Sequence, residues 1–118
     1  MQYAILAQES EADFADRTDA EAADAYWAAW AGYVAALRES GVMDAGAGLQ
    51  PPHTATTLRA RGGSLEVQDG PFADVKEALG GIFLIDVPDL DAAMEWAARC
   101  PAAARGSVEV RPLIPPMQ

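Results

Sequence analysis

The sequence predicts an α+β fold with a split βαβ plan and an inserted β-hairpin. Patterns typical of a strand, a helix, several strands, a second helix and a last strand follow one another in that order. The apolar run at residues 82–85 is short and rich in β-branched side chains, which favours a strand over a helix. Gly62-Gly63 separates two short β-prone segments, as expected at a hairpin turn. No internal repeat or linker interrupts the pattern, so residues 1–118 are expected to form a single domain.

The first half of the chain is expected to hold one strand and one long helix. Residues 1–8 have the pattern of a strand, and the acidic residues 9–16 that of a connecting loop. Thr18 and Glu21 have the spacing of a capping box, so a helix is expected to follow and to end near Gly41. Its apolar stripe, flanked by two tyrosines at 26 and 33, consists of Trp27, Trp30, Val34 and Leu37.

The second half is expected to contain the hairpin, two further strands and a short helix. A strand or extended segment is predicted at residues 42–50, hairpin arms at 54–59 and 65–67, and the last strand at 108–111. Asp89 is predicted to cap a helix that continues to about Arg99. One face of that helix would carry Leu90, Ala93, Met94 and Ala97.

The central strand predicts self-association. Residues 82–85 place Ile82 and Leu84 on one face and Phe83 and Ile85 on the other. A strand that is apolar on both faces is usually covered on both. The chain has too few helices to cover two faces of a sheet, so a second copy of the chain, in a homodimer, is the expected cover.

A motif in the second half resembles a known family. Asp69-Gly70-Pro71-Phe72, followed by Lys76-Glu77 and Gly80-Gly81, resembles the DGPF family, a branch of the YCII-related proteins. Further segments similar to that family lie at residues 46–51, 54–57, 96–101 and 106–112. The resemblance implies a ferredoxin-like subunit that pairs into a dimeric α/β barrel. It implies little about function, because the family is largely uncharacterised.

Composition and charge narrow the range of partners. The formal net charge of -10 argues against nucleic acid and against an anionic membrane surface, which both require clustered lysine and arginine. The sequence shows no apolar segment long enough to span a bilayer and no pattern of a signal peptide. Cys100 is the only cysteine, so no internal disulfide is expected. A cytoplasmic location is the expectation.

The Asp-Gly-Pro-Phe turn is the leading candidate for a ligand site. Asp69 could act as a general base or anchor a ligand, although a carboxylate at this position could equally cap its own turn. Lys76 could hold an anionic group and Glu77 could accept a proton, or both could be a solvated surface pair. The predicted ligand-binding set is therefore Asp69, Gly70, Pro71, Phe72, Lys76 and Glu77, with Asp69 and Glu77 as candidate catalytic residues.

The other residues that could take part in chemistry are expected to have surface or packing roles. His53 follows two prolines and is expected to be a surface histidine. Related YCII enzymes are thought to use a histidine early in the first long helix, but no histidine lies between Thr18 and Gly41, which argues against histidine-dependent chemistry. Cys100 is expected to be a buried packing residue, and the helical aromatics to belong to the core, with Phe72 the exception. No metal or cofactor is expected.

Three functions are compatible with these features. The first is a homodimeric protein that binds an unknown small molecule near the Asp-Gly-Pro-Phe turn. The second is a cofactor-free isomerase or lyase that uses Asp69 or Glu77 as the base, which rests on analogy between folds alone. The third is an accessory protein in transcription or signalling, for which an exposed apolar patch would be the sign.

Overall fold

A computed structural model describes residues 1–71 and 75–116. Its main sheet has four antiparallel strands in the order β2-β5-β1-β6, and two further strands, β3 and β4, form a separate hairpin. The strands are β1 (Gln2–Ser10), β2 (Met43–Gly48), β3 (Thr56–Arg61), β4 (Ser64–Asp69), β5 (Glu77–Asp86) and β6 (Ser107–Pro112). The helices are α1 (Glu11–Asp16), α2 (Ala23–Glu39) and α3 (Leu90–Ala98), with short 3-10 turns at Pro52–Thr54 and Pro101–Ala103.

The topology confirms the predicted ferredoxin-like split βαβ plan. Strands β1 and β2 flank β5 and pair with it antiparallel, so they run parallel to each other across the strand between them. Helix α2 connects β1 to β2, and α3 connects β5 to β6, which is the split βαβ arrangement. The β3–β4 hairpin is inserted between β2 and β5.

The core lies on the face of the main sheet that carries the helices. Tyr3 and Ile5 of β1 stand opposite Ile85 and Phe83 of β5, and all four side chains are buried. Leu37 of α2 is fully buried against this layer. The α2 residue Tyr33, also buried, donates its hydroxyl proton to the backbone carbonyl of Trp96 in α3 at 3.0 Å.

The helix starts differ from the prediction. Residues 9–16, expected to be a loop, include the short helix α1, which begins with a capping box between Ser10 and Asp13. Helix α2 begins at Ala23 without a side-chain cap, so the capping box predicted at Thr18 and Glu21 is wrong. The reason is local competition, because the Asp19 carboxylate accepts hydrogen bonds from the amides of residues 21 and 22 and holds them in a turn. Helix α2 ends as predicted, with Gly41 at φ 77°.

Helix α3 confirms its cap but only half of its predicted face. The Asp89 side chain accepts a hydrogen bond from the Ala92 amide at 2.9 Å. Ala93 and Ala97 are buried, whereas Leu90 and Met94 are about half exposed. A helix of 9 residues crossing one sheet buries only a narrow stripe, so the two larger side chains at its edge remain in solvent.

The other face of the main sheet has no cover among the described residues. Leu6 pairs with Ile82, and Leu84 pairs with Ala4 and with Ala45 across β1, β5 and β2. The larger side chains of this face, Leu6, Ile82 and Leu84, are partly exposed in a single chain, whereas the small Ala4 is buried. The covering of both sheet faces therefore remains a prediction that concerns a second copy.

The hairpin gives the molecule an extended shape. The radius of gyration is 16.1 Å, compared with about 13.5 Å for a compact chain of this length. Leu58 pairs with Val67 and Ala60 with Leu65, so these four side chains share one face of the hairpin. The two leucines and the valine are each more than half exposed. No helix among the described residues is long and apolar enough to cross a membrane.

Candidate functional site

A buried ion pair lies at one end of β1. The Glu9 carboxylate is 1% exposed, and Arg17 Nη2 donates to its Oε2 at 2.6 Å. Glu9 continues the inward alternation of Tyr3, Ile5 and Ala7 for one more step, so strand geometry turns its side chain toward the helices. A carboxylate this deeply buried requires a partner, and the guanidinium of Arg17 supplies it.

Helix α1 holds Arg17 in position. The Asp13 carboxylate accepts hydrogen bonds from the amide and hydroxyl of Ser10, and it also pairs with Arg105 at 2.7 Å. Arg105 pairs with Asp16 as well, at 2.5 Å. These contacts tie α1 to the segment after α3. Arg17 is the C-cap of α1, so its backbone is fixed where the side chain reaches Glu9.

The Arg17 guanidinium is saturated with partners. Its Nη1 donates to the Leu49 carbonyl at 2.5 Å, and its Nε donates to the Tyr26 hydroxyl at 2.9 Å. The guanidinium carbon also lies 4.8 Å from the ring centre of Phe14 and 5.5 Å from that of Trp27. Cation–π contacts of this kind stabilise an arginine that is largely removed from water.

Tyr26 completes the cluster. Its hydroxyl donates to Glu9 Oε1 through a short hydrogen bond and accepts from Arg17. Burial, assisted by the hydrogen bond to Glu9, raises the pKa of Tyr26 to about 12. The hydroxyl is therefore protonated at neutral pH and acts as a donor rather than as a base.

A large cavity opens beside this cluster. It lies between α2 and the strands β2 and β5, and its volume is about 1150 Å³. Trp30 and Phe83 form part of its wall, with ring planes 16° apart and centres separated by 5.9 Å. The described lining residues are Phe14, Ala15, Arg17, Thr18, Tyr26, Trp27, Trp30, Ala31, Val34, Arg38, Met43, Gly46, Ala47, Gly48, Leu49, Gln50, Pro51, His53, Gly80, Gly81 and Phe83.

The lining suits a small molecule with an apolar body. Aromatic and aliphatic side chains form most of the surface, and a few polar groups interrupt it, which is the usual constitution of a ligand pocket. Trp27 is half exposed in a single chain. Its indole donates to the Arg17 carbonyl at 3.1 Å, so this exposed ring is held in place.

The predicted turn lies near the cavity rather than in its described wall. Asp69 is exposed at the end of β4. The Gly70 amide donates to the Ala55 carbonyl at 2.7 Å, which places the turn beside the segment that contains His53. The lining residues do not include Asp69, Gly70 or Pro71. Phe72 lies outside the described residues.

The predicted charged pair, Lys76 and Glu77, also lies outside the described wall of the cavity. Lys76 is exposed, and Glu77 begins β5, where its carboxylate accepts a hydrogen bond from the Ser107 hydroxyl at 2.6 Å. Neither side chain lines the described cavity wall. A ligand-binding or catalytic role for Asp69, Lys76 and Glu77 remains a prediction.

His53, Cys100 and Trp30 differ in exposure and in their relation to the cavity. His53 is exposed, as expected of a surface histidine, but it also lines the cavity. Cys100 is buried with 2% exposure, which confirms its packing role, and burial raises its pKa to about 11. Trp30 both packs against the core and faces the cavity, so the expectation that the helical aromatics are simply core is incomplete.

Sequence reasoning missed the three residues at the centre of this site, Glu9, Arg17 and Tyr26. Glu9 was missed because β1 was expected to end at residue 8, two positions before its actual end at Ser10. Arg17 carried a usable signal, since it is the only lysine or arginine among residues 1–37 and lies amid seven carboxylates between Glu9 and Asp24. A lone cation in such a segment is a strong candidate for a specific ion pair. Tyr26 carried no comparable signal.

Comparison with known proteins gives one relative of close sequence. An uncharacterised protein of Rhizobium meliloti (strain 1021) is 46% identical over 77 residues, a match that covers 64% of this chain and 62% of the relative. The match thus spans less than two thirds of the relative's length.

Comparison with solved structures supports the fold. The 5-chloro-2-hydroxyhydroquinone dehydrochlorinase TftG from Burkholderia phenoliruptrix AC1100, in complex with 2,5-dihydroxybenzoquinone, is similar over 97% of this chain and 94% of its own, with a TM-score of 0.53. The sequence identity is 18%, so the similarity concerns the fold alone. The profile of the YCII-related domain matches residues 1–116, and the chain therefore belongs to the YCII-related family.

Proposed function

We propose that this protein binds a small molecule in the cavity beside Arg17 and that it acts as a homodimer. The observation that carries the proposal is an aromatic-walled cavity of about 1150 Å³ next to a fixed polar cluster. Apolar walls supply binding free energy through burial, and a few fixed polar groups orient the ligand.

The polar cluster is suited to form a rigid end of the site. Arg17 and Tyr26 line the cavity, while Glu9 lies behind them and holds both. Because their hydrogen bonds are already satisfied, these side chains need little reorganisation when a ligand arrives. A preorganised wall lowers the entropic cost of binding.

A small molecule is bound in the solved structure of similar fold. TftG was solved with 2,5-dihydroxybenzoquinone, a small planar molecule, bound to it. A shared fold does not transfer a ligand. It is compatible with a planar ligand in the cavity of this chain, whose described wall includes the stacked rings of Trp30 and Phe83.

The uncovered face of the main sheet supports the homodimer. Leu6, Ile82 and Leu84 form the centre of this face, and burying them against a second copy would remove apolar surface from water at about 25 cal/mol per Å². The apolar face of the hairpin adds Leu58, Leu65 and Val67. A hairpin of two strands is marginally stable by itself, which favours a supporting contact in the assembly.

Ligand binding can be tested with a thermal-shift screen of small aromatic compounds, followed by calorimetric titration of each hit. The test variants are Trp30→Ala, which removes part of the cavity wall, and Trp96→Ala, which removes a tryptophan outside the lining set. We expect the first variant to lose binding by about tenfold or more and the second to retain it. Equal affinity in wild type and Trp30→Ala would refute the location of the site.

The same screen tests the alternative location at the Asp-Gly-Pro-Phe turn. Asp69→Ala and Lys76→Ala change exposed side chains, so both variants should fold. Loss of every hit in these variants, with binding preserved in Trp30→Ala, would move the site to the turn. An isomerase or lyase reaction has less support than binding, because Asp69 is exposed and the Tyr26 hydroxyl is already engaged by Glu9 and Arg17.

A further inference from the structure

The cavity is a positively charged region of an acidic protein. The chain has 18 aspartates and glutamates against 8 lysines and arginines. Among the described lining residues there is no carboxylate, whereas Arg17, Arg38 and His53 are all present. The walls that carry these groups are largely apolar, so an entering anion meets cationic groups and no carboxylate among the described lining residues.

Arg17 cannot supply most of that attraction. Its charge is balanced by Glu9 at 2.6 Å, and the side chain is only 9% exposed. Three of its nitrogens already donate to Glu9, Tyr26 and the Leu49 carbonyl. An anion that approached Arg17 would meet a pair with little net charge.

Arg38 is different in each of these respects. It is exposed, and within residues 1–71 and 75–116 its guanidinium has neither an ion pair nor a side-chain hydrogen bond. It lies in the last turn of α2, at the end of a stripe formed with Val34, Ala31 and Trp27, all of which line the cavity. The helical rise separates Arg38 from Tyr26 by about 18 Å, so the two mark opposite ends of the cavity.

We infer that the cavity takes an anionic ligand with an aromatic body, and that Arg38 receives the negative charge while the ring lies along the apolar stripe of α2. The inference rests on the proposed function, since it requires the cavity to bind a small molecule at all. The ligand class is an aromatic carboxylate or phenolate. The guanidinium can bind a carboxylate through two parallel hydrogen bonds, which fixes the orientation of the ring.

The test uses two probes of nearly equal shape, 2-naphthoate and 2-naphthamide, which differ in charge. Calorimetric titration of the wild-type protein should give a dissociation constant about tenfold lower for the carboxylate, or ~1.4 kcal/mol. Arg38→Gln should abolish this preference, and Arg38→Lys should keep part of it. The matched control is Arg99→Gln, which removes the same charge from an arginine that stacks on Trp96 and does not line the cavity.

The possible outcomes distinguish the charge preference of the cavity, the role of Arg38 and the cavity as a binding site. Equal affinity of the two probes for wild type would overturn the anion preference and leave the binding function standing. A carboxylate preference that survives in Arg38→Gln would overturn the role of Arg38. Absence of binding of both probes at millimolar concentration would count against the inference and against the proposed cavity together. The probe comparison in wild type decides the ligand class even if a variant fails to fold, which circular dichroism would reveal.

Discussion

The Glu9 carboxylate of β1 lies in the space that a side chain at Gly80, on the adjacent strand β5, would fill. A Cβ atom added to Gly80 would lie 1.8 Å from Glu9 Oε2 and 2.7 Å from the carboxylate carbon. The glycine therefore provides the space in which the carboxylate meets Arg17. Gly80 belongs to the pair of glycines that follows the Asp-Gly-Pro-Phe turn, so part of that motif serves the buried ion pair directly.

Replacing Gly80 by alanine should destabilise the protein. The added methyl group must displace the Glu9 carboxylate, and Arg17 would then be left partly desolvated without its partner. We expect the free energy of unfolding to fall by about 2–4 kcal/mol, measured by urea denaturation. Gly48→Ala is the matched control, because a Cβ at that strand position meets nothing within 4 Å. If both variants lose equal stability, the displacement of Glu9 is not the cause.

Removing the Tyr26 hydroxyl should lower stability and change its pH dependence. Tyr26→Phe leaves Glu9 paired with Arg17 but removes the hydrogen bond donated to Glu9 and the one accepted from Arg17, at a cost of about 1–3 kcal/mol. The pKa of Tyr26 is raised from 10.0 to about 12, so the folded state retains this proton while the unfolded chain releases it above pH 10. The stability of wild type should therefore decline between pH 10 and 12.

In Tyr26→Phe that alkaline decline should be smaller. Urea denaturation at pH 8, 10 and 11 measures the two profiles. Parallel profiles for wild type and variant would mean that Tyr26 titrates normally in the folded protein. Tyr3→Phe is a suitable control, since among the described residues its hydroxyl has one hydrogen bond, to the Met1 sulfur.

Cys100 should be unreactive in the folded protein. Its thiol is 2% exposed, and burial raises its pKa from 9.0 to about 11. At pH 8 a rise of two pKa units reduces the thiolate fraction by about a hundredfold, and burial excludes the reagent as well. Alkylation by iodoacetamide, followed by mass spectrometry, should thus be at least about a hundredfold slower in native than in urea-denatured protein. Comparable rates would show that the thiol is accessible.

A charge on the uncovered face of the main sheet should prevent self-association. Leu84→Glu places a carboxylate in the centre of that face, next to Ala4 and Ala45. Wild type should sediment as a dimer at micromolar concentration and the variant as a folded monomer. The control Ala98→Glu adds the same charge at an exposed position of α3 and should remain dimeric. A monomeric wild type, or a dimeric Leu84→Glu, would contradict the proposed interface.

The elements that the sequence predicted well are those with a strong local signal. Gly62-Gly63 marks the hairpin turn, with φ of 54° and 80°, and Asp89 marks the start of α3. The run at residues 82–85 lies within β5, which extends over ten residues. The misplaced capping box shows the limit of such signals, because Ser10-x-x-Asp13 and Thr18-x-x-Glu21 look alike in sequence, and only the first is formed.

The candidate site was less predictable for a physical reason. Glu9, Arg17 and Tyr26 lie on three different elements. The spacing of these residues in the sequence does not predict that their side chains are in contact. The contact between Glu9 and Arg17 also requires the free space beside Gly80, which lies on another strand and far from Glu9 in the sequence. Such long-range pairing is decided by packing, not by local propensity.

The sequence by itself determined the order of the strands and of the two longer helices, the hairpin and the acidic character of the chain, because turn residues, periodicity and charge are local properties. Only the tertiary structure decided that a glycine of β5 makes room for a carboxylate of β1, and that the cavity is lined by arginines rather than by the carboxylates that dominate the composition. Both features depend on contacts between segments that are distant in the sequence, and these contacts form only when the chain folds.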